Sequence, residues 1–171
     1  MILFLQDFIR QDHLAKKGNE TVVKYFSSEL GKTLKKYMNK LGIPTEAYDV
    51  TYAFPRIPKA KQVNNRTGKV ISYVTPKQSE LAEFSQTVID TIIERQPSII
   101  IPTGSLGCKL LLGVSSISKL RGKPEKITLE SSTGIKFTTW VFPIYSVEYQ
   151  QVKPNIVNIT IADYNKIGEF Y

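Results

Sequence analysis

Short, continuously apolar runs alternate with longer segments whose apolar positions recur every three or four residues. Ile2–Leu5 is a four-residue apolar run stopped by Gln6-Asp7, and it reads as a first strand. From Ser27 to Leu41 the apolar positions Leu30, Leu34, Tyr37, Met38 and Leu41 keep helical spacing, and Gly42 stands where a helix-ending glycine belongs. The other face of that helix carries Lys32, Lys35, Lys36 and Lys40 and reads as solvated. Tyr48–Phe54 alternates and is rich in aromatic and β-branched residues, which predicts a second strand. Thr75-Pro76-Lys77-Gln78 has the chemistry of a helix start, with Thr as N-cap. The stripe Leu81, Phe84, Val88, Ile89, Ile92, Ile93 extends that helix to Gln96. Ile127–Glu130 and Ile135–Phe142 predict a hairpin turning at SSTG. Pro154–Tyr164 fits either a strand or a helix. No repeat or low-complexity linker divides the 171 residues, so the pattern predicts one α/β domain.

The centre of the pattern is Pro97–Gly122. Ser98–Ile101 is apolar after its serine, as expected for a strand covered on both faces of a parallel sheet. The loop PTGSLG follows, and Cys108–Leu112 then continues as a helical segment up to Gly113. A strand–turn–helix of this kind offers unpaired amides and a helix dipole to an anion. Gly104 and Ser105 in the turn, with Lys109, Lys119 and Arg121 downstream, are the expected phosphate contacts. The spacing of a Walker loop is absent.

Charge sharpens this picture. The net charge is +8, which suits a polyanionic partner such as nucleic acid. Pro55–Val74 holds Arg56, Lys59, Lys61, Arg66 and Lys69 without one acid, around the turn sequence NNRTG. It predicts either a cationic hairpin that grips a phosphate backbone or a disordered basic loop. Arg10–Asn19 reads as a polar loop in which His13 is solvated. With one cysteine, Cys108, and one histidine, no disulfide framework, metal site or iron–sulfur cluster is expected. The apolar start MILFLQDF lacks a leading basic region and meets an acid early, so neither a signal peptide nor a membrane span is expected. The expected location is the cytoplasm.

Taken in order, these pieces resemble the uracil-DNA glycosylase superfamily, above all its compact bacterial and archaeal branch and the glycosylase-like modules of phage DNA polymerases. Leu5-Gln6-Asp7 is similar to the end of the water-activating motif. Phe26, Gly31 and Leu34 match Phe-x4-Gly-x2-Leu, whose Phe stacks on the extruded base. Val50-Thr51 ends a strand where the family has Thr-Asn. Pro97, Gly104, Leu111-Leu112-Gly113 and Arg121-Gly122 resemble the family's Pro…Leu-Gly…Leu-Leu-Gly…Arg-Gly run. Phe142-Pro143-Ile144-Tyr145-Ser146-Val147 falls at the intercalation-loop motif. The resemblance implies a three-layer α/β/α sandwich around a short, mainly parallel sheet of four strands. It also implies that Asp7 orients water, and that Gln6, Phe26 and Tyr52 form a base pocket.

Departures from the family pattern matter as much. Tyr52 replaces the Asn that reads uracil, Ser146 replaces the His that stabilises the departing base, and the cluster cysteines are missing. The expected function is therefore a DNA-binding domain of replication or repair with impaired catalysis, such as an accessory or N-terminal module of a phage-type DNA polymerase in the host cytoplasm. Its backbone contacts would come from Arg56–Lys69 and the central turn, with Tyr145 and Tyr149 probing a groove. No cofactor is implied. One alternative is an active glycosylase of altered base specificity, using Asp7 and Ser146 with Tyr52 shaping the pocket. The other is a docking module for replication or repair proteins that does not bind DNA.

Overall fold

The computed structural model describes residues 1–170. In chain order the elements are β1 (Ile2–Phe8), the hairpin β2 (Leu14–Lys17) and β3 (Glu20–Val23), α1 (Glu29–Lys40), β4 (Tyr48–Phe54), and the hairpin β5 (Ala60–Val63) and β6 (Val70–Tyr73). There follow α2 (Gln78–Arg95), β7 (Ile99–Pro102), α3 (Ser105–Leu112), the single turn α4 (Ile117–Leu120), β8 (Glu125–Glu130), β9 (Lys136–Val141), α5 (Val147–Val152) and α6 (Val157–Phe170).

The central sheet has the order β4-β1-β7-β9-β8. The first four strands of that order run parallel, and β8 closes one edge antiparallel to β9. The β1 backbone sends alternate side chains to opposite faces. Ile2 and Phe4 join Ile99, Ile101, Leu34, Met38, Tyr164 and Ile167 in one buried layer, under α1 and α6. Leu3 and Leu5 join Ile100, Val88, Ile92 and Leu111 in the other, under α2 and α3. Helices therefore cover both faces of a mostly parallel sheet, the expected α/β/α arrangement, with one antiparallel strand beyond the four parallel ones. No described helix is long and apolar enough to cross a membrane.

The structure departs from the expected elements in four places. β1 runs on through Gln6 and Asp7, so these residues belong to the strand's last turns of the pleat rather than to a following loop. Arg10–Asn19 is not a plain loop: a 3-10 turn leads into the β2–β3 hairpin around Gly18-Asn19, with Lys17 opposite Glu20. A positive φ of 64° at Gly18 fits glycine at the first position of a two-residue type II′ turn. Helix α2 starts at Gln78 rather than at Thr75, because the Glu80 side chain accepts the Lys77 N–H at 3.3 Å and sets the first turn there. The ambiguous C-terminal segment is helix, and Thr160 deals with its own hydroxyl by donating to the Ile156 carbonyl at 2.8 Å.

Gly31 explains one of the family-like spacings in local terms. The 3-10 turn Tyr25–Ser27 folds back on the first turn of α1, where Ser28 Oγ donates to the Tyr25 carbonyl at 2.6 Å and accepts the Gly31 N–H at 3.0 Å. A Cβ on Gly31 would overlap the Tyr25 carbonyl oxygen and come within 2.7 Å of Phe26 Cα, backbone that cannot yield without unseating the turn. Gly31→Ala is therefore expected to destabilise the fold by roughly 2–4 kcal/mol despite alanine's better helix propensity. Urea unfolding at constant m-value checks this, and an unchanged midpoint would show that the turn is free to shift.

Candidate functional site

The parallel strands lie in the chain order second-first-third-fourth, so connections leave β1 in opposite directions. Open α/β sheets form their ligand crevice at such a reversal, outside the carboxyl ends of the strands. Here that place lies between β1 and β7. A cleft of about 120 Å³ opens there, lined by Gln6, Asp7, Phe8, Arg10, His13, Thr103, Ser146 and Glu148. Its volume is below the ~150 Å³ of a closed cavity that admits benzene.

Asp7 is the anchor. Its Oδ1 accepts the backbone N–H groups of Leu106 at 3.0 Å and Gly107 at 3.1 Å, at the start of α3. The anion site foreseen at this turn exists, but an internal carboxylate fills it. A Cβ on Gly104 would overlap the Asp7 carboxylate, so the glycine makes room for that side chain. This corrects the expectation that the Gly104–Ser105 turn cradles phosphate, since an incoming phosphate would meet a like charge on the same amides. Burial pushes the Asp7 carboxyl up to about 6; the two amides oppose the rise and the nearby Glu148 adds to it. Gln6 is buried beside it and accepts from Thr103 Oγ1 at 2.9 Å, tying β1 to the residue after β7.

His13 overturns its reading as a solvated residue. It is 1% exposed, seated edge-on to Tyr25 with ring centroids 4.9 Å apart. Its Nδ1 accepts the Arg10 N–H at 3.2 Å and lies 3.1 Å from the Tyr52 hydroxyl. Because a backbone N–H can only donate, Nδ1 is the unprotonated nitrogen and Nε2 carries the hydrogen. Nε2 lies 3.9 Å from Glu148 Oε1, too far for a hydrogen bond. His13 Nε2, both Glu148 carboxylate oxygens and the Tyr25 hydroxyl are buried without a hydrogen-bond partner among the described residues. Burial, followed by the Glu148 charge, raises Tyr25 and Tyr52 above the ordinary tyrosine range, so both phenols are neutral donors.

The other expected site residues divide. Ser146 lines the cleft, but its Oγ also caps α5 by accepting the Tyr149 N–H at 3.1 Å. Tyr52 reaches the cleft through His13. Phe26 does not line it: its ring packs edge-on against Tyr25 and Tyr48, with Lys35 Nζ 5.6 Å from its centroid. Phe26 and Tyr52 border a separate hollow of about 290 Å³. The expected base pocket of Gln6, Phe26 and Tyr52 is thus two sites. Arg121 is not a free phosphate ligand either, because its guanidinium holds the fully buried Asp163 at 2.7 and 3.0 Å. Diverting it would leave that carboxylate unpaired, at a cost on the order of 3–5 kcal/mol. Lys109 and Lys119 are exposed, Lys109 along a different groove between α2 and α3.

The basic segment is a hairpin. Lys59, Lys61, Arg66 and Lys69 are exposed on it, and the Asn64–Gly68 turn is closed by Asn64 Oδ1 accepting the Arg66 N–H at 2.9 Å. It is fixed at the rim of the cleft, where the Tyr73 hydroxyl accepts the Gln11 N–H at 2.7 Å and the Arg10 guanidinium lies over the Tyr73 ring. Arg56 stacks over Phe84 instead of pointing along the hairpin. Tyr145 and Tyr149 pair at 5.0 Å on the opposite rim. Sequence reasoning missed Arg10 and Glu148 and misread His13. The Gly-Asn turn signal of the β2–β3 hairpin was the clue that this segment is ordered.

The raised Asp7 carboxyl predicts a stability trade. A group whose folded pKa lies above its unfolded value stabilises below the unfolded pKa and loses that contribution as pH rises through the folded one. Asp7→Asn keeps an oxygen for the two amides and removes the charge. Relative to this variant, the parent protein should lose on the order of 2–3 kcal/mol between about pH 4 and pH 7. Thermal melts across that range check the convergence at low pH; a variant equally or less stable at pH 7 would mean the amides outweigh burial. No protein-family model matches the chain, and no curated protein matches it.

Proposed function

We propose that the chain is a DNA-interaction domain of the uracil-DNA glycosylase type, serving DNA replication or repair in the cytoplasm as a module of, or accessory to, a phage-type DNA polymerase. One observation carries the reading: an acid-free cationic hairpin is bolted through Tyr73 to the rim of a cleft at the sheet's carboxyl edge. Lysines and arginines so placed bind a phosphate backbone by releasing counterions, whatever the base sequence. The parallel four-strand core under two helical layers and the Asp at the end of β1 agree with the resemblance. Weakened base release follows from Tyr52 and Ser146, neither of which presents the amide or imidazole the family uses.

DNA affinity should fall as salt rises, and the variant Lys61→Ala/Arg66→Ala/Lys69→Ala should flatten the log–log slope by about two to three. Fluorescence anisotropy at several salt concentrations measures this. Binding that ignores salt, or that survives the triple substitution intact, sinks the reading; no binding at all favours a protein-docking module.

A second reading, base release with altered specificity, is favoured by one placement: His13 enters the cleft that holds Asp7, supplying an imidazole from a different segment than Ser146. Asp7 would orient water only as the carboxylate, so release should rise with pH through about 6. Asp7→Asn should abolish release while leaving DNA affinity intact, and His13→Gln should slow it about a hundredfold. Oligonucleotides carrying uracil and other deaminated bases, incised after alkali, provide the assay. Absence of release from all of them across pH 5–9 ends this reading.

A further inference from the structure

We propose that the surface meeting at Arg10 is a track for single-stranded DNA, with Tyr149 as its stacking platform; this rests on the DNA reading above. An open groove of about 400 Å³ runs between Ile71 on β6, Leu30 on α1, and Tyr149 and Val152 on α5. It shares Arg10, Ser146 and Glu148 with the smaller cleft, so groove and cleft adjoin. On the far side of Leu30 and Arg10 a second depression, of about 530 Å³, reaches Lys69 on the hairpin. A path therefore leads from the hairpin cations, past Arg10, to the mouth of the cleft.

The lining selects the form of DNA. Ile71 is 57% exposed, Val152 76% and Tyr149 37%, an apolar and aromatic strip beside a cationic one. Duplex DNA hides its base faces in its own stack and offers an outer surface of phosphate and sugar, which leaves that strip without a partner. A single strand offers both, with phosphates for the hairpin and base faces for Tyr149 and its apolar neighbours.

Charge inside the groove is mixed: Arg10 and Lys69 stand against Asp12 and Glu29, which pair with Arg10 and Lys32 at 3.2 Å each, so the cations that draw the backbone are those of the hairpin beside it. Glu148 lies deeper, and its unpartnered oxygens would repel a phosphate but accept an N–H from a base edge. His13 Nε2–H, 1% exposed as a residue and equally unpartnered, faces the same place as a donor. The groove thus favours backbone outward and base inward. A base can reach Glu148 only when it is unpaired, and a single strand meets that condition without the cost of breaking a pair.

The test compares anisotropy of a labelled mixed-sequence strand of about 12 nucleotides with that of its blunt duplex, at matched salt. The expected result is single-strand binding at least tenfold tighter. Tyr149→Ala should weaken single-strand binding about tenfold without changing the salt slope, while duplex binding stays within twofold. Val152→Asp, also a surface change, should weaken single-strand binding by repelling the strand; circular dichroism confirms that both variants fold. Equal or tighter duplex binding overturns the proposal and leaves the DNA reading standing. A single-strand preference that survives both substitutions overturns the groove as the track. Binding to neither form overturns the DNA reading itself, and this proposal with it.

Discussion

The contact between the Asp7 carboxylate and the first amides of α3 places everything else at the sheet's carboxyl edge. It joins the end of β1 to the helix after β7, about one hundred residues later, by two hydrogen bonds to one oxygen. Two opposing effects meet there. The helix N-terminus favours a negative charge, while the surrounding protein penalises it. The carboxyl's rise to about 6 says that burial wins. Glycine is required on the helix side for steric reasons: Gly104 would drive a Cβ into the carboxylate, and at Gly107 one would sit 3.1 Å from Pro102 Cβ and 3.2 Å from Leu5 Cδ2. The glycine-bearing turn is shaped around a side chain of its own chain, so the same sequence signal that suggests a phosphate loop here specifies a strand–helix joint.

Two further polar locks follow the same logic of distant segments meeting at buried charge or hydrogen bonds. Arg121–Asp163 fastens the connection before β8 to α6, and Gly122, with φ 71°, keeps a Cβ from pressing on Asp163 Oδ1. His13 is clamped between Tyr25 and Tyr52, so the short β2–β3 excursion is tied to β4. These locks remove groups from the surface that composition alone would assign to a ligand. They leave the exposed cations of the β5–β6 hairpin, with those of α1 and α3, as the charge open to a partner.

The layers were legible because burial imposes period: Ile2–Leu5, Tyr48–Phe54, Ser98–Ile101 and the α1 and α2 stripes each carry the repeat of the element they form. The C-terminal helix was not, because Val157, Ile159, Thr160 and Ile161 are β-branched residues that packing against Tyr37 and the sheet overrides; the Tyr37 and Tyr164 rings stack at 4.9 Å. The site was half legible. Asp7 and Ser146 do face one cleft, but Phe26 and Tyr52 were grouped with them by the family resemblance, and the Tyr25–Ser27 turn packs Phe26 against Tyr25 and Tyr48 instead. His13 was illegible for a plain reason. Its burial depends on three segments, Tyr25, Tyr52 and α5, none of which is adjacent to it in sequence.

The strongest physical statement about the cleft is its uneven satisfaction. Most buried polar groups in the protein are paired, yet four atoms in one place, Tyr25 Oη, His13 Nε2 and the two Glu148 oxygens, have no protein partner. Each such group costs about 1–3 kcal/mol when left unbonded, against a total stability of roughly 5–15 kcal/mol for a domain of this kind. The atoms are almost inaccessible to solvent, and His13 Nε2 faces Glu148 Oε1 at 3.9 Å, so an outside partner reaches them only if the cleft opens. A flat polar ring edge, carrying donors toward Glu148 and an acceptor toward His13 Nε2, would satisfy the same atoms at once and in a fixed orientation. Both phenols stay protonated, and Tyr52 spends its hydrogen on His13 Nδ1, which leaves Nε2–H as the histidine's free donor. Arg10 lines the cleft, the groove beside it and the depression that reaches the hairpin, so the three adjoin at one side chain.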